Sequence, residues 1–346
     1  MKRLKALSIV PLALLLATLG AGSASAADEA TIAAAKKEGE IVWYTTLIVD
    51  QAVRPLIAAF EKKYPGIKIR YSRSQGPETT MQLLQEVRSG NVQTDVMDQV
   101  LSGITAIPDD VMSDYPKTLA SIVPDIDRVP GDRWVAINQY YSCVAINTDL
   151  VKDGNVPKTW DDLLDPKWKG KLVWHATPDL SGPPGFIGNI LMLMGKDKGM
   201  AYLKKLAAQK ITILPTSQRG VMDQVIAGEY PIQLMAVTHH AVISGKAGAP
   251  VRWLKIEPLI GTRSYVGLIQ KAPHPNAGKL LVEFLLSDEG QGVLRDANYI
   301  PSSKRVAALE PTLKPETGQF KVVVMTPEIT RKELPGWIAI FKELFQ

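Results

Sequence analysis

With 346 residues, 46% hydrophobic and 22% charged, the chain is long enough for two domains and apolar enough to build their cores. A net charge of +5 without any Lys/Arg block argues against a nucleic-acid surface. The single cysteine, Cys143 in the apolar run CVAI, excludes an internal disulfide and reads as a small buried hydrophobe.

The N-terminus sets the expected compartment. MKRLK is a short basic stretch, ALSIVPLALLLATLG is an apolar run too short to span a membrane, and Ala24-Ser25-Ala26 supplies small residues for cleavage. Residues 1–26 are therefore expected to be a signal peptide removed on export to the periplasm. Its loss takes Lys2, Arg3 and Lys5 and lowers the net charge to about +2 over the remaining 320 residues. No cysteine ends the apolar run, so no lipid anchor is expected.

EIVWYTT (Glu40 to Thr46) predicts a buried strand ending in hydroxyls. Asp50 is placed to cap the following helix, in which Val53, Leu56, Ile57 and Phe60 recur at helical spacing. Pro65-Gly66 stops that helix, and IKIRYS alternates as a second strand. The next helix starts near Pro77 and ends before Gly90, and TDVMDQV is a third strand. This β-α-β-α-β order predicts a parallel sheet flanked by helices. WVAINQYYSCVAINTDLV then reads as a long β-rich segment suited to crossing between two domains. TWDDLLDPKWKGKLV, the helix GFIGNILMLMG and an amphipathic helix near GMAYLKKLAAQ follow. In TSQRGVMDQVIAGEYPIQLMAV, Ser217 caps a helix, Gly228 stops it and IQLMAV is a strand. No repeat, low-complexity tract or flexible linker interrupts the pattern, so the domains are expected to be joined by ordered strands.

Ligands of open α/β sheets bind beyond the carboxyl ends of the strands. Four turns at such places carry small or hydroxyl residues: Thr45-Thr46, Ser74-Gln75-Gly76, Ser181-Gly182 and Thr216-Ser217-Gln218-Arg219. Each precedes a helix, whose free N–H groups favour an anion. Singly, each reads first as an ordinary N-cap; four of them point to a shared cleft. His239-His240, two of only four histidines, falls at the end of IQLMAV. Alternation along a strand sends one ring to the cleft and the other to the core or solvent. Adjacent histidines do not match the spacing of a helical zinc site, and no HExxH, GxSxG, P-loop or GxGxxG pattern occurs. No metal or other cofactor is therefore expected. Tyr140-Tyr141 reads either as core or hinge packing or as a phenol at the cleft wall.

The segments GEIVWYTT, FEKKYPGIKI, TDVMDQ, AINTDLV, TWDDLLDPKWKGKLV, AGEYPIQL, KAGAPV and KAPHPNAGKLLVEFLLSDEGQ occur in a telling order. It is the order of extracellular solute-binding proteins of family 1, the type II periplasmic binding proteins of ABC importers. The chain resembles their ferric-iron-binding-like branch over nearly its whole mature length. The resemblance implies an α/β, two-lobed type II periplasmic binding protein fold with a hinge and an interlobe ligand cleft. It implies a monomer that hands a small-molecule solute to a membrane permease, and not an enzyme. Lobe 1 is expected to comprise 27–135 and 258–300, and lobe 2 136–257 and 301–346.

Ferric-binding relatives carry an adjacent tyrosine pair shortly after GE-x-P; here the comparable position reads His239-His240. Ferric ion prefers anionic oxygen ligands, so this difference favours a small organic anion instead: a phosphonate, phosphate ester, sulfonate or carboxylate. The expected contacts are Thr45, Thr46, Ser74, Gln75, Ser181, Gly182, Ser217, Arg219, His239 and His240, with Tyr141 and Tyr265 as walls. Two alternatives stand beside this reading. One is a ferric-ion receptor using Tyr140, Tyr141 or Tyr265. The other is an exported metal-dependent hydrolase using His239, His240 and a carboxylate such as Glu257, for which the spacing is poor.

Overall fold

The first unit read from the sequence is present as expected. Strand β1 (Glu40–Thr45) pairs in parallel with β2 (Lys68–Arg73) on one side and β3 (Val96–Val100) on the other. Helices α1 (Glu29–Glu38), α2 (Arg54–Lys63), α3 (Gly76–Ser89) and the short α4 (Leu101–Ile104) flank them. The computed structural model describes residues 28–74, 76–114 and 133–346, so Gln75 and the expected signal peptide lie outside the described residues.

Strand β4 (Val135–Asn147), thirteen residues long, is the long β-rich segment expected from the sequence. The chain continues through β5 (Leu172–His175), α5 (Pro183–Met194), α6 (Lys196–Ala207), β6 (Thr212–Leu214) and α7 (Gln218–Ile226). Next come β7 (Ile232–Val237), α8 (Thr238–Lys246), β8 (Val251–Leu254) and β9 (Leu259–Leu268). It ends with α9 (Pro275–Leu286), α10 (Asp288–Asp296), β10 (Ile300–Pro301), α11 (Pro315–Gly318), β11 (Val322–Val324) and α12 (Pro327–Phe345). The strands lie in the order β2-β1-β3-β9-β4-β7-β5-β6, with β8 and β10 also on β4 and β11 on β9. Strands β5, β6 and β7 form a second parallel set. The sheet as a whole is mixed, because β9 runs antiparallel to both β3 and β4.

Side-chain alternation along these strands separates the cores. Ile41 and Trp43, Val135 and Ile137, and Val266 and Leu268 pack on one face against Phe60 and Phe284. Those two rings meet edge to face, with centroids 5.6 Å apart. Tyr44, Met97, Ala136 and Tyr265 point to the other face and join a core that extends to Trp174, Phe186 and Phe341. Tyr141, Cys143 and Ala145 enter a third core, where Tyr141 stacks edge to face on Phe320. Cys143 is the small buried residue expected, and burial pushes its thiol pKa up.

One helix start differs from the sequence reading. Val49–Val53 forms a single π-helical turn ahead of α2, and Asp50 pairs with Arg54, the first residue of α2, at 3.1 Å rather than capping the helix. The cause is Pro55: it has no N–H to give to the Gln51 carbonyl, so an α-helical ladder cannot run through that point.

Gln291 of α10 ties β4 to the chain beyond it. Its amide donates to the carbonyls of Ile137 at 2.9 Å and Leu285 at 2.8 Å, and its oxygen accepts from the Ser303 N–H at 3.0 Å. The side chain is fully buried, so Gln291→Leu would strand the Leu285 carbonyl and the Ser303 N–H away from water and leave the Ile137 carbonyl only the Ser302 N–H at 3.4 Å. The expected loss is about 3 kcal/mol, read as a lower urea midpoint at unchanged m value. A midpoint indistinguishable from wild type would show that the backbone groups find other partners.

Candidate ligand-binding cleft

The carboxyl ends of β1, β3, β5, β6 and β7 converge on one cavity of about 760 Å³. Thr46 and Ile48 follow β1, Ser102 follows β3, and Asp179 and Ser181 follow β5. Ser217 and Gln218 follow β6, and His239 and His240 follow β7. Asn138 and Tyr140 of β4 and Thr262 and Ser264 of β9 face the same space, and Tyr299 reaches it from beyond α10.

Helix starts surround the cavity. Ser217 both lines it and caps α7, accepting the Gly220 N–H at 3.1 Å. Helix α8 has Val237 at its N-cap and receives no side-chain cap. Its first N–H groups and the positive end of its dipole therefore stand beside the cavity without a side-chain acceptor. Gly182, at the N-cap of α5, is required by close packing: a Cβ there would lie 2.0 Å from the Thr177 carbonyl oxygen.

His239 and His240 do not occupy a strand. Strand β7 ends at Val237, and the pair sits in the first turn of α8. Adjacent residues of a helix diverge by about 100° rather than pointing to opposite faces, so both rings line the cavity. This corrects the expectation of one ring in and one out. The ring centroids are 4.6 Å apart, and each Nδ1 is buried without a hydrogen-bond partner. Burial, with the neighbouring His240, lowers the His239 pKa to about 3. Burial and the positive charge of Arg219, partly offset by Asp223, lower His240 to about 4. His175, at the end of β5, is lowered to about 4 by burial against the opposing effect of Asp179, and neither of its ring nitrogens has a partner. Three neutral imidazoles thus face the cavity at neutral pH.

The other expected contacts divide. Thr46 and Ser181 line the cavity, but both hydroxyls are engaged: Thr46 donates to Asp98 at 2.8 Å and Ser181 to Asp179 at 2.6 Å. Thr45 is buried and accepts the Leu47 N–H at 3.1 Å, which shapes the turn. Ser74 lies off the wall, 2.8 Å from the Thr79 hydroxyl. Arg219 also lies off it, its guanidinium held by Asp223 and Ser244. Tyr141 and Tyr265 are core residues, and strand alternation turns their neighbours Tyr140 and Ser264 to the cavity instead. Glu257 is not in the wall either, and no group of three or more His, Cys, Asp or Glu among the described residues is placed to hold a metal ion.

Asn138, His175, Asp179, Thr262 and Tyr299 were not anticipated. His175 ends the apolar stretch KLVWH and could have been found by the same strand-end rule that singled out the other turns. Tyr299 follows a helix in a loop with no local signature, and its hydroxyl accepts the Ile48 N–H across 251 residues of sequence.

A family model for bacterial extracellular solute-binding proteins matches residues 55–320. The chain belongs to that family. A periplasmic protein of Salmonella typhimurium, whose name proposes 2-aminoethylphosphonate as its ligand, is 29% identical over 297 residues, covering 80% of this chain and 79% of its own. A Trichodesmium protein (IdiA, FutA) in complex with iron and citrate superposes with a TM-score of 0.74 at 20% identity, over 89% of this chain and 100% of its own. The periplasmic binding protein AfuA of Actinobacillus pleuropneumoniae, with fructose-6-phosphate bound, does so at 0.73 and 22% identity, over 89% and 98%. The fold is therefore that of the type II periplasmic binding proteins. As a member of that family it is an extracellular solute-binding protein, a transport component and not an enzyme.

Asp98 supports the cavity from below. It is fully buried on β3, its Oδ1 accepts the Thr46 N–H at 3.0 Å, and its Oδ2 has no partner. Burial outweighs the bonds from Thr45 and Thr46 and raises its pKa from 3.8 to about 6. Between these values the folded chain holds a proton that the unfolded chain has released, so this term of stability falls as pH rises through the window. Asp98→Asn removes the term. The variant's unfolding midpoint relative to wild type should therefore rise between about pH 4 and pH 7. A constant difference across that range would show that Asp98 titrates no differently in the two states.

Proposed function

We propose that the protein captures a small organic anion in this cleft and delivers it to its permease. The class is a phosphonate, phosphate ester, sulfonate or carboxylate. The lobes that close on it are 27–135 with 258–300, and 136–257 with 301–346. In support of that division, β4 pairs with β9 over its first half and with β7 and β8 over its second.

One observation carries the ligand class. The uncapped start of α8 bears two neutral histidines with unpartnered ring nitrogens, in a wall whose described residues include no lysine or arginine. A neutral imidazole donates one N–H, and a helix start donates backbone N–H groups, which together suit an oxyanion without a formal cation. The names of relatives fit a phosphorus oxyanion or carboxylate: 2-aminoethylphosphonate for one, bound fructose-6-phosphate for another, iron with citrate for a third. Against free ferric ion, Tyr141 and Tyr265 lie in the core, and burial pushes the wall phenols Tyr140 and Tyr299 up to about 12.

Native mass spectrometry of the purified protein followed by calorimetry tests this. An organic phosphonate, phosphate ester, sulfonate or carboxylate should bind with a Kd near about 1 μM, roughly 8 kcal/mol. His239→Ala and His240→Ala should each weaken it by about tenfold, the worth of one good hydrogen bond. A bound anion favours the imidazolium form and raises the histidine pKa values above their values near 3 and 4 in the empty site. Affinity for a sulfonate, which keeps its charge throughout, should therefore rise as pH falls toward 5, and the double variant should lose that rise. Stoichiometric uptake of iron with a visible absorption band, and no binding of any organic anion, would replace this reading with the ferric one.

A further inference from the structure

The wall of the cleft is electrically lopsided. Among the described residues that line it, Asp179 is the one carrying a formal charge. Its Oδ1 accepts both the N–H of Ser181 at 2.7 Å and the Ser181 hydroxyl at 2.6 Å. No lysine, arginine or histidine among the described residues pairs with it, and nothing described donates to its Oδ2. The Ser181 turn accounts for one oxygen of the carboxylate and leaves the other without a described partner.

Two further acceptors stand close by. His175, Asp179 and Tyr140 all line the cavity, and the negative charge of Asp179 acts on both of the others, on Tyr140 against the positive charge of Arg263. His175 is 1% exposed, lines the cavity and has neither ring nitrogen bonded. In its neutral form it offers one lone pair, and the Tyr140 hydroxyl offers others. On His240 the larger of the acting charges is the positive one of Arg219. The cavity therefore presents N–H donors and a positive field around α8, and a carboxylate with two neutral acceptors around Asp179.

We propose that the solute is a zwitterion, with its anionic head at His239, His240 and the start of α8, and an ammonium group held by Asp179, His175 and Tyr140. This rests on the anion reading above and narrows it. An ammonium brings three N–H donors to three acceptors and neutralises the carboxylate that closure of the cleft would otherwise strip of water. An anion without the amine leaves Asp179 unpaired and repels it, so discrimination comes from a penalty against the wrong ligand as much as from attraction to the right one. Asp179 is then a specificity-determining residue.

The test compares each amino acid analogue with its partner lacking the amine: 2-aminoethylphosphonate with ethylphosphonate, taurine with ethanesulfonate, and β-alanine with propionate. Calorimetry on the full mature protein should show at least one amino member bound about a hundredfold more tightly than its partner. Asp179→Asn keeps an oxygen to accept from Ser181, so the turn survives while the charge goes. It should shrink that preference to within about threefold, weakening the amino compound and improving its partner. Tyr140→Phe, which removes an acceptor but no charge, should reduce the preference several-fold and serves as the probe if Asp179→Asn does not fold. Equal binding within every pair by the wild type would overturn the zwitterion and leave the anion reading standing. An undiminished preference in both variants would overturn the assignment of the ammonium to Asp179 and Tyr140. Binding of no member of any pair, nor of fructose-6-phosphate, would overturn the anion reading itself and this proposal with it.

Discussion

The antiparallel pairing of β4 with β9 is the constraint on which the rest of this structure depends. Two parallel sets of strands, β2-β1-β3 and β7-β5-β6, would each expose an open edge if left alone. The β4–β9 pair fills both edges and joins the sets into one sheet. Because it joins them by continuous strands, the carboxyl ends of five strands from the two sets open on a common space. A flexible tether could not hold those ends in register. The same pairing decides which face each strand residue takes. A residue shift of one along β4 would exchange Tyr140 for Tyr141 in the cleft, and along β9 Ser264 for Tyr265. Irregularities between Ala136 and Asn138 and between Cys143 and Ala145 allow this long strand to serve partners on both sides.

Within the cleft, burial does most of the chemistry of selection. Imidazoles at a surface would be partly protonated near neutral pH; here burial is the largest influence on His175, His239 and His240 and keeps all three neutral. Neutral rings keep both a donor and an acceptor, which a charged ring does not. The cavity can thus offer both donors and acceptors using the same residue type. The effect extends to the phenols, held in their protonated form by burial at Tyr140 and Tyr299. Hard cations need anionic ligands, and this wall spends its desolvation on suppressing charge rather than assembling it.

Much of the architecture was readable in the sequence because it rests on local signals. The β-α-β-α-β start, the Ser217 cap, the positive-φ Gly90 and Gly228 beyond two helix ends, and the long strand β4 all follow from spacing or turn chemistry. The site was less readable, for two physical reasons. Face assignment on a strand has a period of two, so an error of one residue moved the expectation from Tyr140 to Tyr141 and from Ser264 to Tyr265. Element boundaries also matter more at a site than elsewhere: ending β7 after Val237 puts His239 and His240 on a helix, and that alone converts opposed rings into neighbouring ones. Arg219 shows a third limit. Its position in a turn before a helix looked right, yet Asp223 one turn later and Ser244 of α8 claim its guanidinium. Such competition is invisible until the helices are packed.

Tyr299 shows how the two sides of the cleft are coupled. Its hydroxyl accepts the Ile48 N–H at 3.1 Å, from the turn after β1, while its ring lies 6.3 Å from that of His239 at the start of α8. A solute can favour closure only by the contacts it gains in the closed state and lacks in the open one. In the proposed two-lobe division, contacts to the Thr46 turn and contacts to α8 belong to opposite lobes, so a ligand bridging them would supply that difference. Asp98 holds the first of these sides rigid through both the N–H and the hydroxyl of Thr46. Rigidity there has an energetic consequence: a turn already ordered loses little entropy on binding, so more of the bridging energy goes into closure.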